Sequence, residues 1–464
     1  MKISFHGADQ GVTGSCHLLE CAGKRILIDC GMYQGGREIV EENAEPFGFE
    51  PSSIDFLLLT HAHLDHCGRI PLLTKRGFTG EVITTQATVE LARLIMLDAA
   101  GLQEEESRYQ LRKSKRHSKR KKGIEPLYNT LDALNSMERF GRRVTYAHPL
   151  QVAPGIRATF LDAGHILGSA SIFLELEENG HQHRLLFSGD LGYSGRAILR
   201  DPATPPQVDT VVMETTYGDR LHKQLQPSIE ELYEVINETI GRGGNVIIPT
   251  FALERAQEIL YYLREGMSAK RIAPFTNVFL DSPMAISATQ IFERHPECFD
   301  VETLRLSHNG GDPFDLPNLH FTRETAESMA INLVEGGAVI MAGSGMCTGG
   351  RVRHHLKHNL WGKRNSIVFV GFAAEGTLAR RIIDGEKRVK IYGEDIAVRA
   401  EIYTIGGFSA HADQAELLAW HQKTGNPKTT YLVHGEEESM QVFAKKLTNT
   451  RVEMPTLHQS YDLR

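Results

Sequence analysis

Apolar and polar positions divide the chain into short apolar runs, each closed by a turn rich in Gly, Asp or His. Residues 24–28, 56–59, 157–161, 184–188 and 211–213 are runs of this kind. Their length predicts buried strands rather than helices. Residues 1–7 read as a further strand. Residues 88–102 instead carry apolar side chains at helical spacing. From about Gln226 the pattern changes. Strands at 245–249, 278–280, 338–342 and 366–370 alternate with helical stretches such as 252–264. That alternation predicts a second domain built on a parallel sheet. The runs at 402–405 and 429–433 return to the earlier grammar of strand and polar turn. The expectation is a first domain made of residues 1–208 and 396–464, with residues 209–395 inserted into it. Pro202, Pro205 and Pro206 mark the connection at its edge.

Composition changes this picture little. The 464 residues suffice for two or three domains with a sizeable core, and 41% hydrophobic with 23% charged residues is ordinary for a globular chain. A net charge of −7 gives no general attraction for a polyanion, so any nucleic-acid contact must be local. The six cysteines form no C-x-x-C pair, which points to a reducing cytoplasm. The N-terminus lacks a signal-peptide apolar region and no apolar stretch is long enough for a bilayer, so no membrane partner is expected.

Two local stretches stand out. Residues 111–122 form the strongest basic run, with Lys115 and Arg116 at its centre. It is either a solvated surface segment or an arm that contacts phosphates, and no aromatics are interleaved for base stacking. Residues 343–351 (Gly-Ser-Gly-Met-Cys-Thr-Gly-Gly-Arg) are either a tight strand-to-helix turn or a phosphate cradle, with Ser344 and Arg351 as the candidate contacts. The loop is not a Walker A motif, because Arg351-Val352 stands where Lys and Ser/Thr belong.

The chemistry gathers just past strand ends, where sites collect in α/β folds. After residues 56–59 come Thr60-His61-Ala62-His63-Leu64-Asp65-His66. His61 and His63, two apart on extended chain, leave on one side. Asp65 and His66 follow once the chain has turned. One strand end can thus feed two neighbouring metal ions. Asp29, past another strand, is either a turn residue or a carboxylate that orients this loop. The loop resembles the H-x-H-x-D-H signature of the metallo-β-lactamase superfamily. His165 (among small residues), Asp190 and His434 follow later strands, and with the first four ligands they complete two shells that share Asp190. Imidazole and carboxylate without thiolate suit zinc, with manganese or iron acceptable.

Nearly the whole chain resembles the β-CASP branch of that superfamily. The branch's acidic motif matches Glu214 in Glu-Thr-Thr-Tyr-Gly, its second motif His411 in Phe-Ser-Ala-His-Ala-Asp, and its third His434 in Val-His-Gly-Glu. Members with histidine at the third motif act on RNA. The resemblance implies a metallo-β-lactamase αββα sandwich with an inserted parallel-sheet α/β (β-CASP) domain. It implies two Zn2+, one held by His61, His63, His165 and Asp190, the other by Asp65, His66, Asp190 and His434. Asp65 counts as catalytic as well as a ligand. The implied reaction is hydrolysis of single-stranded RNA by a hydroxide that both metals activate, as an endonuclease with exonuclease action as a second mode. His411, paired with Glu214, protonates the leaving oxygen. Single-stranded RNA is the expected partner, and a homodimer is compatible with the resemblance. Two competing readings are a hydrolase of another ester or thioester and a non-enzymatic RNA-binding scaffold. The first gives no reason for the large insert. The second is expected to lose ligands, and all seven are present.

Overall fold

The computed structural model describes residues 1–35, 41–116, 125–371 and 373–463. The chain first forms β1 (Lys2–Phe5), β2 (His17–Cys21), β3 (Lys24–Ile28), β4 (Phe56–Leu58), β5 (Glu81–Thr85), β6 (Phe140–Val144), β7 (Leu150–Ala153), β8 (Ile156–Asp162), β9 (Ala170–Glu178), β10 (His181–Phe187) and β11 (Thr210–Glu214). Next come β12 (Val246–Pro249), β13 (Asn277–Leu280), β14 (Leu319–Phe321), β15 (Ala338–Ala342), β16 (Ser366–Phe369), β17 (Arg388–Ile391), β18 (Glu394–Ala397) and β19 (Glu401–Thr404). The last strands are β20 (Thr429–Val433), β21 (Arg451–Glu453) and β22 (Ser460–Asp462). The helices used below are α1 (Leu64–Cys67), α2 (Gln86–Arg116), α3 (Arg255–Ser268), α4 (Val352–Asn359) and α5 (Gln414–Lys423).

Two compact units result. One comprises Met1–Ser194, Asp201–Leu221 and His411–Arg464, the other Gly195–Arg200 and His222–Ala410. The divisions fall later than 208/209 and 395/396, and strand pairing is the reason. β11 lies between β10 and β20, parallel to both, so it belongs to the first unit. β19 pairs with β16 and so belongs to the second.

The first unit holds two seven-stranded sheets, in the orders β22-β1-β2-β3-β4-β5-β6 and β21-β20-β11-β10-β9-β8-β7. Ile3, Phe5, Leu19, Ile26, Leu58 and Ile83 of one sheet meet Phe160, Ile172, Leu174, Phe187 and Val433 of the other in a shared core. Each such side chain contributes roughly 1.5–3 kcal/mol by leaving water. Helix α2 packs on β5 and β6, and Leu417 and Trp420 of α5 join Leu186, Val211, Met213 and Leu432 in a separate core cluster. This is the expected αββα sandwich. Helix α2 runs past the expected residues 88–102. The apolar spacing ends there, but Gln103–Arg116 are mostly good helix formers, with Gln110 bonded to Glu106 one turn back.

Register brings the strand ends together. Glu214 lies opposite Val433 across the parallel β11–β20 pair, and Ile28 opposite Leu58 across β3–β4. Residues that follow these strands therefore leave from common edges. The second unit carries a parallel sheet of six strands, β14-β13-β15-β12-β16-β19, and the β17–β18 hairpin. Helix α3 begins at Arg255, after a turn in which Glu254 has φ 63°, rather than at residue 252.

Candidate metal centre

The turn after β4 places His61 and His63, and the short α1 places Asp65 and His66. His165 follows β8, Asp190 follows β10 and His434 follows β20. The fold brings all seven into two groups: His61, His63, His165 and Asp190, then Asp65, His66 and His434. In the first, His63 Nδ1 lies 3.2 Å from His61 Nε2 and 3.1 Å from His165 Nε2. Asp190 Oδ2 is 3.4 Å from His61 Nε2 and 3.6 Å from His165 Nε2. In the second, His66 Nε2 and His434 Nε2 are 3.2 Å apart, and Asp65 Oδ2 is 3.4 Å from His434 Nε2. Asp190 Oδ2 also stands 3.3 Å from His66 Nε2, so this single oxygen serves both groups.

These separations test whether a metal fits. Four ligands at about 2.0–2.1 Å from a tetrahedral ion lie about 3.3 Å from one another. Three ring nitrogens converging on one point cannot all be satisfied by N–H···N bonds, whereas one cation satisfies every lone pair. Asp190 Oδ1 is buried and has no hydrogen-bond partner among the described residues. The donor set therefore fits a metal cofactor.

Hydrogen bonds on the far side of the His61, His66 and His434 rings fix which nitrogen each offers. His66 Nδ1 donates to Asp29 Oδ2 at 2.7 Å, leaving Nε2 for the site. Asp29, at φ 62°, also accepts from Thr60 N and Thr60 Oγ1, both at 2.8 Å. With its proton given to Asp29, Thr60 Oγ1 can accept from His61 Nδ1 at 3.0 Å. Thr216 Oγ1 plays the same part for His434 Nδ1 at 3.2 Å. The two threonine roles escaped the sequence reading. Their one signal is position, directly before His61 and two residues after Glu214.

Electrostatics follow burial and charge. Burial pushes the His63 imidazole down to about 3, with His61 adding to the effect. Burial likewise lowers His165, and the nearby His411 adds to it. Burial would lower His66 too, but Asp190 and Asp29 outweigh it and hold that ring well above the usual histidine range. Burial would raise Asp190, yet His434, His66 and His61 hold its carboxyl well below the usual range. A divalent cation requires neutral imidazoles beside an ionised carboxylate, so His63 and His165 are already in the binding form and His66 would release its Nε2 proton as an ion enters.

His411 stands beside this cluster, its ring 4.4 Å from that of His165. Its Nδ1 lies 3.3 Å from both carboxylate oxygens of Glu214, the last residue of β11. Glu214 is buried, and its Oε1 accepts from Leu191 N at 2.5 Å. Burial alone would lower the His411 ring, but Glu214, with smaller help from Asp190 and Asp65, outweighs it and raises it to about 9. An antiparallel bridge to Gly192 fixes its main chain, and Asp413 caps α5 just after it.

The expected RNA contacts fare differently. Arg351 is held inside the second unit: Nη1 donates to Asp281 Oδ1 at 2.8 Å and Thr322 O at 2.9 Å, and Nη2 to Arg323 O at 2.6 Å. Its guanidinium braces a buried carboxylate, and this replaces the phosphate role expected of it. Asp281 also accepts from Ser328 at 2.6 Å and His355 Nε2 at 2.6 Å. The glycine-rich loop bonds to itself, through Cys347 N to Ser344 O at 3.0 Å and Val352 N to Gly343 O at 3.1 Å. Ser344 Oγ accepts from Gly349 N at 3.4 Å, within that turn. The geometry is that of a tight turn rather than a cradle. The side chains of Lys115 and Arg116, and residues 117–122, lie outside the described residues. All six cysteines are free and buried, and no described helix is long and apolar enough to cross a membrane.

Comparison with known proteins agrees with this geometry. Residues 10–153 match the metallo-beta-lactamase superfamily, residues 256–382 the Beta-Casp domain, and residues 395–455 the Zn-dependent metallo-hydrolase RNA specificity domain. The chain is 40% identical to ribonuclease TTHA0252 of Thermus thermophilus, over 96% of each chain. It is 32% identical to the transcription termination factor FttA of Methanocaldococcus jannaschii, over 96% of this chain and 68% of that one. An RNase J-like protein of the same archaeon is 29% identical, over 98% and 97%. A crystal structure of a protein of unknown function from Enterococcus faecalis shares the fold, with a TM-score of 0.56 at 10% identity over 100% and 99% of the two chains. With the paired ligand groups, the inserted parallel sheet and these relatives together, the chain belongs to the β-CASP family of the metallo-β-lactamase superfamily.

Proposed function

We propose that this protein is a ribonuclease that hydrolyses phosphodiester bonds of single-stranded RNA at a centre of two metal ions. The observation that carries the two-metal reading is the reach of Asp190 Oδ2, 3.3 Å from one ligand group and 3.4–3.6 Å from the other. His61, His63 and His165 would hold one ion, Asp65, His66 and His434 the second, and Asp190 both. Zinc suits this donor set best, and manganese or iron is chemically acceptable. When bound, the ions supply Lewis acidity and stabilise the charge that develops on a phosphate under attack.

The chain's own residues do the rest. Asp29, Thr60 and Thr216 hold the His66, His61 and His434 rings in the tautomers that present a lone pair. Glu214 keeps His411 protonated through Nδ1, and the opposite nitrogen can then give a proton to the departing ribose oxygen. RNA as substrate rests on the ribonuclease relative and the RNA specificity domain match. The test is incubation with 5′- and 3′-labelled RNA, read on a sequencing gel. Single strands should be cut much faster than duplex, a chelator should stop cleavage, and added zinc should restore it. A preference for DNA, or full activity in chelator, would refute the proposal.

A further inference from the structure

In the second unit's sheet, β12 lies between β15 and β16. The chain leaving β12 goes to β13, toward one sheet edge, while the chain leaving β16 goes on to β19 at the other. Connections that part in opposite directions open a crevice at the carboxyl ends of the two strands, the usual ligand position in such sheets. A cleft open to solvent is present there, lined by Pro249, Phe251, Arg255, Gly345, Phe369 and Gly371 among others.

The side chains say what kind of group. Phe251 is 44% exposed, at the mouth of a loop whose next residues, Ala252 and Leu253, are buried. A lone exposed apolar residue needs no explanation by itself. Here, however, the neighbouring loop is cut away for the ring. A Cβ at Gly345 would come within 2.9–3.2 Å of three Phe251 ring atoms, so only glycine lets the ring lie where it does. At Gly371 a Cβ would meet nothing within 4 Å among the described residues outside its own chain neighbours. The lining is apolar and glycine except for Arg255, whose guanidinium pairs with Glu258. No carboxylate or amide is present among these residues to read a hydrogen-bond pattern. An aromatic face in an apolar notch suits the flat face of any base.

We infer that this cleft is a base-stacking subsite, in which one nucleobase of the single-stranded RNA lies against Phe251. The inference rests on the ribonuclease reading and adds a residue that sets substrate affinity. It also accounts for acceptance of varied sequence, since every base has a stacking face.

The test uses the full-length, metal-loaded protein, single-stranded RNA carrying 2-aminopurine at successive positions, and the variants Phe251→Leu and Phe251→Tyr. Stacking on the wild type should quench the fluorophore at one position. Phe251→Leu, which keeps the apolar volume but loses the aromatic face, should abolish that quench and raise KM for RNA roughly 5- to 150-fold, with kcat much less affected. Phe251→Tyr should stay within about twofold of wild type. An abasic nucleotide at that position should cost the wild type as much as Phe251→Leu does, and should cost the Leu variant nothing more. Unchanged KM in the Leu variant, equal losses in Leu and Tyr, or a full abasic penalty in the Leu variant would each remove the subsite and leave the ribonuclease reading standing. A wild type that neither binds nor cuts RNA would remove both.

Discussion

The general-acid assignment makes the sharpest prediction, because it separates His411 from the metal ligands beside it. His411→Ala removes a ring 4.4 Å from His165 but outside both ligand groups, so metal content should stay near normal. General acid catalysis contributes about 10²- to 10⁴-fold, or about 3–5 kcal/mol, and RNA cleavage should fall by that factor. Glu214→Gln should cost less. The carboxylate raises the imidazole to about 9. Without it, a ring returning to an ordinary value near 6.5 would be only about one-tenth protonated at pH 7.5, so a loss of about tenfold or more is expected at that pH. Well below the unperturbed value the ring is protonated with or without Glu214, so the loss should be small there and grow as pH rises from about 6.5 toward about 9. The assay is single-turnover cleavage of RNA beside a nitrophenyl phosphodiester, whose leaving group departs without a proton. For both variants the loss on RNA should greatly exceed the loss on the nitrophenyl substrate. Equal losses on the two, in folded and metal-replete protein, would refute the general-acid role.

Other residues give expectations of their own. Asp190→Ala, which removes the oxygen common to both groups, should take metal content from about two ions per chain to below one by elemental analysis; retention of two would end its bridging role. Thr60→Val deletes the hydroxyl between Asp29 and His61, and metal affinity in a chelator competition should fall about 10- to 100-fold; unchanged affinity would show that the ring needs no such support. In the second unit, burial would raise Asp281, but His355, Ser328, Thr322 and Arg351 outweigh it and hold the carboxyl down to about 2. A depressed carboxyl stabilises the fold above its unfolded value near 4 and loses that contribution as pH falls through about 2. The contribution is about 2 kcal/mol at neutral pH. Asp281→Asn should therefore lower the Tm at pH 7 and narrow the difference from wild type near pH 2, and a pH-independent difference would contradict the linkage.

How far this was legible in the sequence depends on the range of the interactions involved. The clustered histidines and aspartates were legible because each follows within a few residues of an apolar strand, so local pattern marks them as candidate donors. The sandwich and inserted sheet were legible for the same reason, through changes in the spacing of apolar runs. The unit boundaries were not, because β11 and β19 read as strands in either domain and only pairing decides. Arg351 shows the same limit at the level of one side chain. Its partners, Asp281 and the carbonyls of Thr322 and Arg323, lie 28–70 residues away, so nothing local told a bracing guanidinium from a phosphate contact.

The histidines carry this one step further. A motif names the residue that binds, but each imidazole has two nitrogens, and the one it offers depends on what holds the other. His61 and His66 present Nε2 because Thr60 and Asp29 occupy Nδ1, and His434 presents Nε2 because Thr216 does. His63 presents Nδ1 to the same centre. Threonine is a common turn residue, so its hydroxyl beside a histidine carries no signal of its own. The chemistry of the centre thus depends on the motif for its donors and on the packed sandwich, which brings β3, β4, β11 and β20 to their edges in register, for the direction each donor faces.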